Sequence, residues 1–245
     1  MTAGLAVAAA FGLLVLSTAA VYTAGAQVWY RGLGRGTLKE GPLGSRAVAF
    51  TFDDGPVPVW TARIAEILEA AGARGTFFVL AEQALRLPGE IRRLSEGGHE
   101  IALHGFNHRH LWLMGPRETC EKLQEAAAVV EHLTGGHAPR FYRPPWGHFN
   151  MAAAVCARRM GMRIALWSAA PPDWARRPRP EALAKALIGA LRPGAIIDLH
   201  DGGPPGRAQV LADVLPAALR QAHALGLHAV TLSELLGRDG ACGGS

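Results

Sequence analysis

The stretch Ala47-Val-Ala-Phe-Thr-Phe-Asp-Asp-Gly-Pro56 places two adjacent carboxylates directly after a short apolar segment. The β-favouring residues from Ala47 to Phe52 predict a buried strand, and Gly55-Pro56 predicts its end. Asp53 and Asp54 therefore follow the carboxyl end of that strand. Successive side chains of an extended chain point in different directions, so the two acids can take different roles in one site. Asp-Asp-Gly-Pro is also typical of an ordinary acidic turn, and the stretch alone leaves both interpretations open.

The rest of the chain alternates between helical and strand patterns. Helices are predicted at 59–71, 89–96, 116–133, 151–160, 181–191 and 210–224, and further strands at 76–80, 99–103, 141–143, 163–167, 195–199 and 227–231. About seven such β/α units indicate a parallel sheet with helical crossovers. Polar residues follow strand after strand, and a barrel collects all strand ends in one mouth. No glycine-rich dinucleotide motif follows the first strand, which argues against a nucleotide-binding doubly wound sheet.

Composition narrows the class of protein further. With 245 residues, 49% of them hydrophobic, the chain can form one full core, and we expect a single catalytic domain at 45–238. The formal charge is +5, but the basic residues are scattered and form no run interleaved with aromatics, which argues against nucleic-acid binding. Cys120, Cys156 and Cys242 lie far apart in the sequence, and we expect them to be unpaired and non-catalytic.

The N-terminal 27 residues carry no charged side chain, and Leu5 to Tyr22 is apolar or small over a length that can cross a membrane. This segment is either a retained anchor or a signal peptide cut after Ala24-Gly25-Ala26. The long apolar run without a basic start favours the anchor. Residues 28–44 are predicted to be a Gly-rich linker and 239–245 a flexible tail.

His104-Gly-Phe-Asn-His108 places two imidazoles four residues apart, immediately after a predicted strand. On a helical turn this spacing would put both rings on one face. A histidine pair alone is weak evidence, but with a carboxylate of the aspartate pair it forms a ligand set with open positions, suited to zinc or another divalent transition metal. We expect the neighbouring His99 and His110 to be structural.

The order of these motifs resembles one known family. Thr51-Phe-Asp-Asp-Gly-Pro56 followed by His104-x-x-x-His108 is similar to the first two motifs of the polysaccharide deacetylases, the NodB-homology carbohydrate esterases of family 4. The third motif, the end of the fourth and the fifth resemble Arg143-Pro-Pro-Trp-Gly147, Asp173-Trp174 and Leu199-His200-Asp201. The resemblance spans about residues 45 to 236. It implies a distorted (β/α)7 barrel that removes N-acetyl, and sometimes O-acetyl, groups from amino-sugar polymers such as chitin or peptidoglycan.

The resemblance also implies a role for each matching residue. Asp54, His104 and His108 would bind the metal, zinc first, with cobalt, nickel or manganese as alternatives. The ion would activate a water and polarise the acetyl carbonyl, so that Asp53 can act as general base. Arg143 would orient Asp53 and favour its ionised form.

Two more roles follow from the same resemblance. His200 falls where the family has its general acid, which protonates the leaving amine. The backbone amide of Trp146 would donate to the developing oxyanion. Trp146 and Trp174 are also expected to line the glycan groove, because aromatic faces stack on sugar rings, with packing at the barrel rim as the alternative for Trp174.

The chain departs from the family pattern at two positions. Ala170 stands three residues before Asp173, where the family usually has the aspartate that orients the catalytic histidine. We expect either Asp173 or Asp198 to support His200 instead. Gly105 stands where a serine or threonine is usual. Loss of the first carboxylate leaves open a non-catalytic, glycan-binding barrel.

The expected location rests on two opposing arguments. Arg31, Arg35, Lys39 and Arg46 all follow the apolar segment, and the positive-inside rule alone would hold the domain in the cytoplasm. A cell-wall polymer, in contrast, lies outside. We expect a membrane-anchored or secreted protein with an extracytoplasmic catalytic domain. A lipid-linked or cytoplasmic amino sugar is the alternative substrate, since it would suit the charges.

Overall fold

The computed structural model describes residues 2–42 and 44–237. Helix α1 spans Thr2–Ala20 and continues, with wider turns, through Val21–Gly25 and Gln27–Gly32. The continuous stretch Val7–Gly32 is long and apolar enough to cross a membrane. Phe11 and Leu16 on this helix are 67% and 68% exposed, so α1 is not a core helix of the domain.

The domain is built around a curled parallel sheet. In the described ranges its strands are β1 Thr37–Leu38, β2 Ala47–Asp53, β3 Thr76–Leu80, β4 Glu100–Gly105, β5 Phe141–Tyr142, β6 Arg163–Ala165, β7 Ile196–His200 and β8 His228–Ala229. They follow the order β1-β6-β5-β4-β3-β2-β7, and β8 pairs with the beginning of β2. The central strand β2 is buried along nearly its whole length, as its apolar sequence predicts.

The segment after β6 closes the sheet against β7. The amide of Ser168 donates to the carbonyl of Ile196 at 2.9 Å, and the amide of Asp198 donates to the carbonyl of Ala169 at 2.9 Å. An antiparallel bridge between Glu40 and Ala195 adds a second contact at this edge. The sheet therefore forms the distorted barrel predicted from the sequence, and that prediction of the fold is confirmed.

Helices cover the outside of the sheet. They are α2 Trp60–Ala70, α3 Ala81–Arg86, α4 Pro88–Glu96, α5 Pro116–Leu133, α6 Met151–Arg159, α7 Pro180–Gly189, α8 Arg207–Ala224 and α9 Leu232–Leu235. Local sequence sets several of their starts: Pro116 is the first residue of α5, and the Asn150 side chain accepts from the amide of Ala153 to cap α6. The sequence patterns missed α3 and α9, which are too short to show a helical period.

Residues 28–44, predicted to be a linker, contribute to the folded domain where they are described. Tyr30 is only 4% exposed, and the amide of Leu166 donates to the carbonyl of Leu38 at 2.7 Å. Gly34 and Gly36 adopt positive φ angles of 65° and 74°. These glycines form a tight turn from the N-terminal helix into β1. They serve to allow this turn, and the segment is not the spacer predicted from its glycine content.

Cys120 and Cys156 form a disulfide between α5 and α6, with Cα atoms 5.7 Å apart. The prediction that these cysteines are unpaired is therefore wrong. They lie 36 residues apart in the sequence, and only the side-by-side packing of the two helices brings them together. Disulfides persist mainly in oxidising compartments. Cys242 and the tail 239–245 lie outside the described residues.

This disulfide should contribute measurably to stability. Closing a loop of this length constrains the unfolded chain by about 4 kcal/mol in the chain-entropy model. We expect the double variant Cys120→Ala, Cys156→Ala to lose free energy of unfolding of this order in urea titrations. Peptide mapping of the wild-type chain without reductant should recover the two cysteine peptides joined. Recovery of two separate free thiols, together with unchanged unfolding of the variant, would contradict the bond.

Candidate active site

The carboxyl ends of β2 and β7 bring the first acids together. Asp53 lies opposite His200, and Thr51 lies opposite Asp198, in the parallel register of these strands. Asp54 follows in a left-handed conformation with φ of 75°. A Cβ added at Gly202 would lie 2.6 Å from the Asp54 carbonyl oxygen. The loop after β7 thus packs directly under Asp54, and glycine is required there.

Asp54, His104 and His108 converge on one point. The Nε2 atoms of His104 and His108 lie 3.4 Å and 3.2 Å from the same oxygen, Asp54 Oδ1. One donor atom from each of the three residues lies within 4.8 Å of the others. His104 is the next-to-last residue of strand β4, and His108 is in the bend that follows. The pair therefore meets across a strand end, and the helical turn considered from the spacing is not formed.

This cluster fits a divalent transition-metal ion. Asp54 Oδ1 is buried and accepts no well-directed hydrogen bond, although both Nε2 atoms lie within 3.4 Å of it, and such an oxygen is costly unless a cation satisfies it. Burial opposes ionisation of Asp54, but the neighbouring His104 and His108 outweigh it and lower the pKa of Asp54 to about 2. Burial also lowers the pKa of His108, which favours the neutral imidazole that metals bind. One carboxylate and two imidazoles are a donor set suited to zinc.

Arg143 occupies the interior of the barrel and is fully buried. Its Nη1 atom donates to Asp53 Oδ1 at 2.7 Å and to Asp198 Oδ1 at 2.9 Å. The same atom lies 2.8 Å from Thr51 Oγ1, and the guanidinium carbon is 4.0 Å from the centroid of the Phe78 ring. A buried guanidinium is tolerated only with such partners. Arg143 therefore fixes the orientation of the Asp53 carboxylate, as the sequence predicts for its place in the site.

Asp173 supports His200 directly. Asp173 Oδ2 accepts from the backbone amide of His200 at 2.6 Å, and Asp173 Oδ1 lies 3.1 Å from Nδ1 of the imidazole. Burial lowers the pKa of His200, but the hydrogen bond and charge of Asp173, with Asp198 and Asp53, outweigh it and raise the pKa to about 10. His200 is therefore a cation at neutral pH, with Nδ1 engaged.

Asp198 has a different partner. It hydrogen-bonds Arg143, although its carboxylate also lies within 4.8 Å of donor atoms of Asp53 and His200. Burial and the charge of Asp53 raise the pKa of Asp198 to about 7, against the opposing charge of Arg143. Of the two acids proposed to support His200, Asp173 is the one that contacts the imidazole.

Family comparisons agree with this geometry. A family model described as polysaccharide deacetylase matches residues 40–165. The chain belongs to the polysaccharide deacetylase family. The chitooligosaccharide deacetylase of Bradyrhizobium sp. (strain ANU 289) is 34% identical over 170 residues, which is 69% of this chain and 77% of the relative. A peptidoglycan-N-acetylglucosamine deacetylase of Bacillus cereus is 33% identical over 205 residues, which is 80% of this chain and 91% of the relative.

A solved polysaccharide deacetylase shares the fold. The Bc1960 peptidoglycan N-acetylglucosamine deacetylase superposes with a TM-score of 0.78 at 27% identity, over 85% of this chain and 96% of that chain. The family inferred from the sequence motifs is thus confirmed.

The candidate site opens into a cavity of about 1240 Å³. Its walls include all the clustered acids and imidazoles except Asp173, together with the exposed rings of Trp146 and Trp174, which are 46% and 56% exposed. Ala170 also lines the cavity, where its methyl group replaces the carboxylate usual in the family. Asp173 instead approaches His200 from beneath, and it is only 1% exposed.

Sequence reasoning missed three contributions to the site. Thr51 and Asp53 both accept hydrogen bonds from Arg143. Their two-residue spacing places them on the same face of one strand, which could have indicated this shared partner. Thr61 donates to the buried Asp201 beneath the Asp54 loop. Arg31 from the N-terminal helix lines the cavity. No local pattern links the last two to the site, because their contacts join distant parts of the chain.

The contact between Asp173 and His200 predicts how the imidazole titrates. Asp173→Asn removes the carboxylate that raises the pKa of His200, and burial, which lowers it, is left less opposed. We therefore expect the pKa of His200 to fall from about 10 toward neutrality. The alkaline limb of turnover should move to lower pH with it. Imidazole NMR titration would follow the residue directly.

Two other variants test the assignment of the supporting acid. Asp198→Asn leaves the Asp173 contact intact and should shift the His200 titration less. Asp213→Asn, on the exposed face of α8, should leave it unchanged. Equal titration of His200 in the wild-type and Asp173→Asn chains would refute the support by Asp173.

Proposed function

We propose that this protein is a metal-dependent hydrolase that removes N-acetyl groups from an amino-sugar polymer, a peptidoglycan or chitin-like glycan. One observation carries the proposal: a three-residue metal-ligand set, an arginine-held carboxylate and an aspartate-held imidazole converge in one cavity. The named activities of the Bradyrhizobium and Bacillus relatives support the same substrate class.

The ligand set would be Asp54, His104 and His108. A divalent ion bound there, zinc in the first place, would lower the pKa of a water and polarise the acetyl carbonyl. Asp53 accepts the proton of the attacking water. Arg143 holds one carboxylate oxygen of Asp53, while the other, Oδ2, lies 3.7 Å from Nδ1 of the ligand residue His104. The base is therefore kept at a fixed angle beside the reacting centre.

Trp146 and His200 act in the second half of the reaction. The backbone amide of Trp146 donates to the negative charge that develops on the acetyl oxygen. His200, protonated at neutral pH, gives a proton to the departing amine as the carbon–nitrogen bond breaks. Since Asp173 engages Nδ1, the proton leaves from Nε2. The products are acetate and the free amino sugar.

The groove beside these groups suits a polymer of sugars. The exposed faces of Trp146 and Trp174 offer stacking surfaces on the cavity wall. A barrel that only binds glycan is the alternative raised by Ala170. The Asp173 contact weighs against this alternative. The imidazole of His200 still contacts a buried carboxylate, although Ala170 replaces the usual one.

A lipid-linked amino sugar is the second candidate substrate. The helix that can cross a membrane runs to Gly32, and its residue Arg31 lines the catalytic cavity. The mouth of the barrel therefore opens beside the membrane-proximal end of the helix. A substrate held at the membrane surface would reach it directly.

We propose an extracytoplasmic location for the domain, with the N-terminal helix kept as an anchor or cut as a signal. The disulfide between Cys120 and Cys156 supports this, since such bonds persist in oxidising compartments. It outweighs the basic residues after the helix, whose pattern alone favours the cytoplasmic side.

Acetate release tests the proposal. The full-length chain loaded with zinc should release acetate from N-acetylglucosamine oligomers, and a chelator should abolish release until zinc is restored. Asp53→Asn should lower kcat by about 100-fold or more, the usual scale of a general base. His223→Ala, on the exposed face of α8, is the matched control and should keep full activity.

The same assay separates the candidates. Faster release from a lipid-linked amino sugar in vesicles than from soluble oligomers would favour the second substrate. Glycan binding without zinc-dependent acetate release from either substrate would refute the enzymatic proposal and leave the binding barrel.

A further inference from the structure

The end of the N-terminal helix holds a loop of the catalytic cavity, Trp146–Phe149, here called the Trp146 loop. The side-chain amide of Gln27 bonds this loop twice. Gln27 Nε2 donates to the carbonyl of Gly147 at 3.2 Å, and Gln27 Oε1 accepts from the amide of Phe149 at 2.9 Å. Both polar atoms of the Gln27 side-chain amide therefore bond the backbone of the loop.

Two more residues on the same helical face reinforce this contact. Arg31 Nη1 donates to the carbonyl of Trp146 at 3.2 Å, and the guanidinium carbon lies 5.4 Å from the centroid of the Trp167 ring. The buried ring of Tyr30 lies 5.4 Å from that of Phe149. Gln27, Tyr30 and Arg31 of this helical segment all contact the Trp146 loop. The face is built to fit the loop.

The Trp146 loop in turn contacts the ligand set. Trp146 adopts a positive φ of 54°, an uncommon conformation for a non-glycine residue that needs support from its surroundings. Its ring centroid lies 4.0 Å from that of His108 and 5.1 Å from that of His110. His108 is the most exposed of the three ligand residues, at 32% of its side chain, so the Trp146 ring is a main constraint on its orientation.

We propose that Gln27 and Arg31 are positioning residues of the active site, which act through Trp146 on the metal affinity of His108 and on the oxyanion donor. The membrane-proximal end of the N-terminal helix thereby belongs to the catalytic machinery. Its effect on turnover rests on the proposed function, whereas its effect on metal affinity does not. A cut after Ala26 would leave this face on the domain, since the contacts begin at Gln27.

The test uses the full-length chain in detergent, with Gln27→Leu and Arg31→Ala. Zinc affinity is measured by competition with a chromophoric chelator, and kcat and KM by acetate release. We expect each variant to bind zinc about tenfold more weakly, the usual effect of lost outer contacts at a metal site, and to lose kcat by a similar factor with little change in KM. Arg31→Lys keeps one donor for the Trp146 carbonyl and should recover part of both losses.

Arg35→Ala is the matched control. It removes a guanidinium from the same segment, and Arg35 packs on the Trp29 ring, 5.2 Å from its centroid, away from the loop. Its zinc affinity and kcat should equal those of the wild type. A purely structural role would lower the melting temperature of Gln27→Leu and Arg31→Ala and leave zinc affinity unchanged, and that result would overturn the proposal.

The remaining outcomes are also decisive. If Arg31→Ala does not fold, Gln27→Leu and Arg31→Lys carry the test. If the wild-type chain binds zinc but releases no acetate, the proposed function fails and zinc affinity alone decides the positioning role. The positioning role would be refuted if the zinc dissociation constants of Gln27→Leu and Arg31→Ala both lay within twofold of the Arg35→Ala value. Where Arg31→Ala does not fold, Arg31→Lys takes its place in this comparison.

Discussion

The guanidinium of Arg143, buried at the centre of the barrel, is the constraint on which the site depends. It serves two carboxylates and a hydroxyl from neighbouring strands, and it donates to the backbone carbonyls of Ala165 and Leu166. Removal of the guanidinium would leave the buried carboxyl groups of Asp53 and Asp198 side by side without their shared hydrogen-bond donor, at a cost of several kcal/mol. One side chain thus ties β2, β5 and β7 together and fixes the Asp53 carboxylate beside the candidate ligand residue His104.

The surroundings of each acid and imidazole in the cavity set its protonation state. Asp54 stays ionised beside two imidazoles, while burial and the charge of Asp53 raise the pKa of Asp198. Asp173 keeps His200 protonated from the side away from the cavity. The arrangement separates Asp53, the proton acceptor we propose, from His200, the proton donor we propose, at the ends of adjacent strands, which is the division that acid–base catalysis at one pH requires.

Much of this could be predicted from the sequence, because strand ends in a parallel barrel share one mouth. The placement of Asp53, Asp54, His104, His108 and His200 follows from their positions after apolar runs. Which of Asp173 and Asp198 supports His200 could not be predicted in this way, since it depends on a loop conformation. The disulfide and the contact of Gln27 with the Trp146 loop also escaped, because they join segments 36 or more residues apart through helix packing that no local pattern records.

We propose above that Asp54, His104 and His108 share one cation. A crystal of the zinc-loaded chain, measured on both sides of the zinc absorption edge, tests it most directly. We expect one strong anomalous peak in contact with Asp54 Oδ1 and the Nε2 atoms of both histidines, at about 2.0–2.2 Å. Zinc located elsewhere, or no peak at that position in a fully loaded crystal, would contradict it.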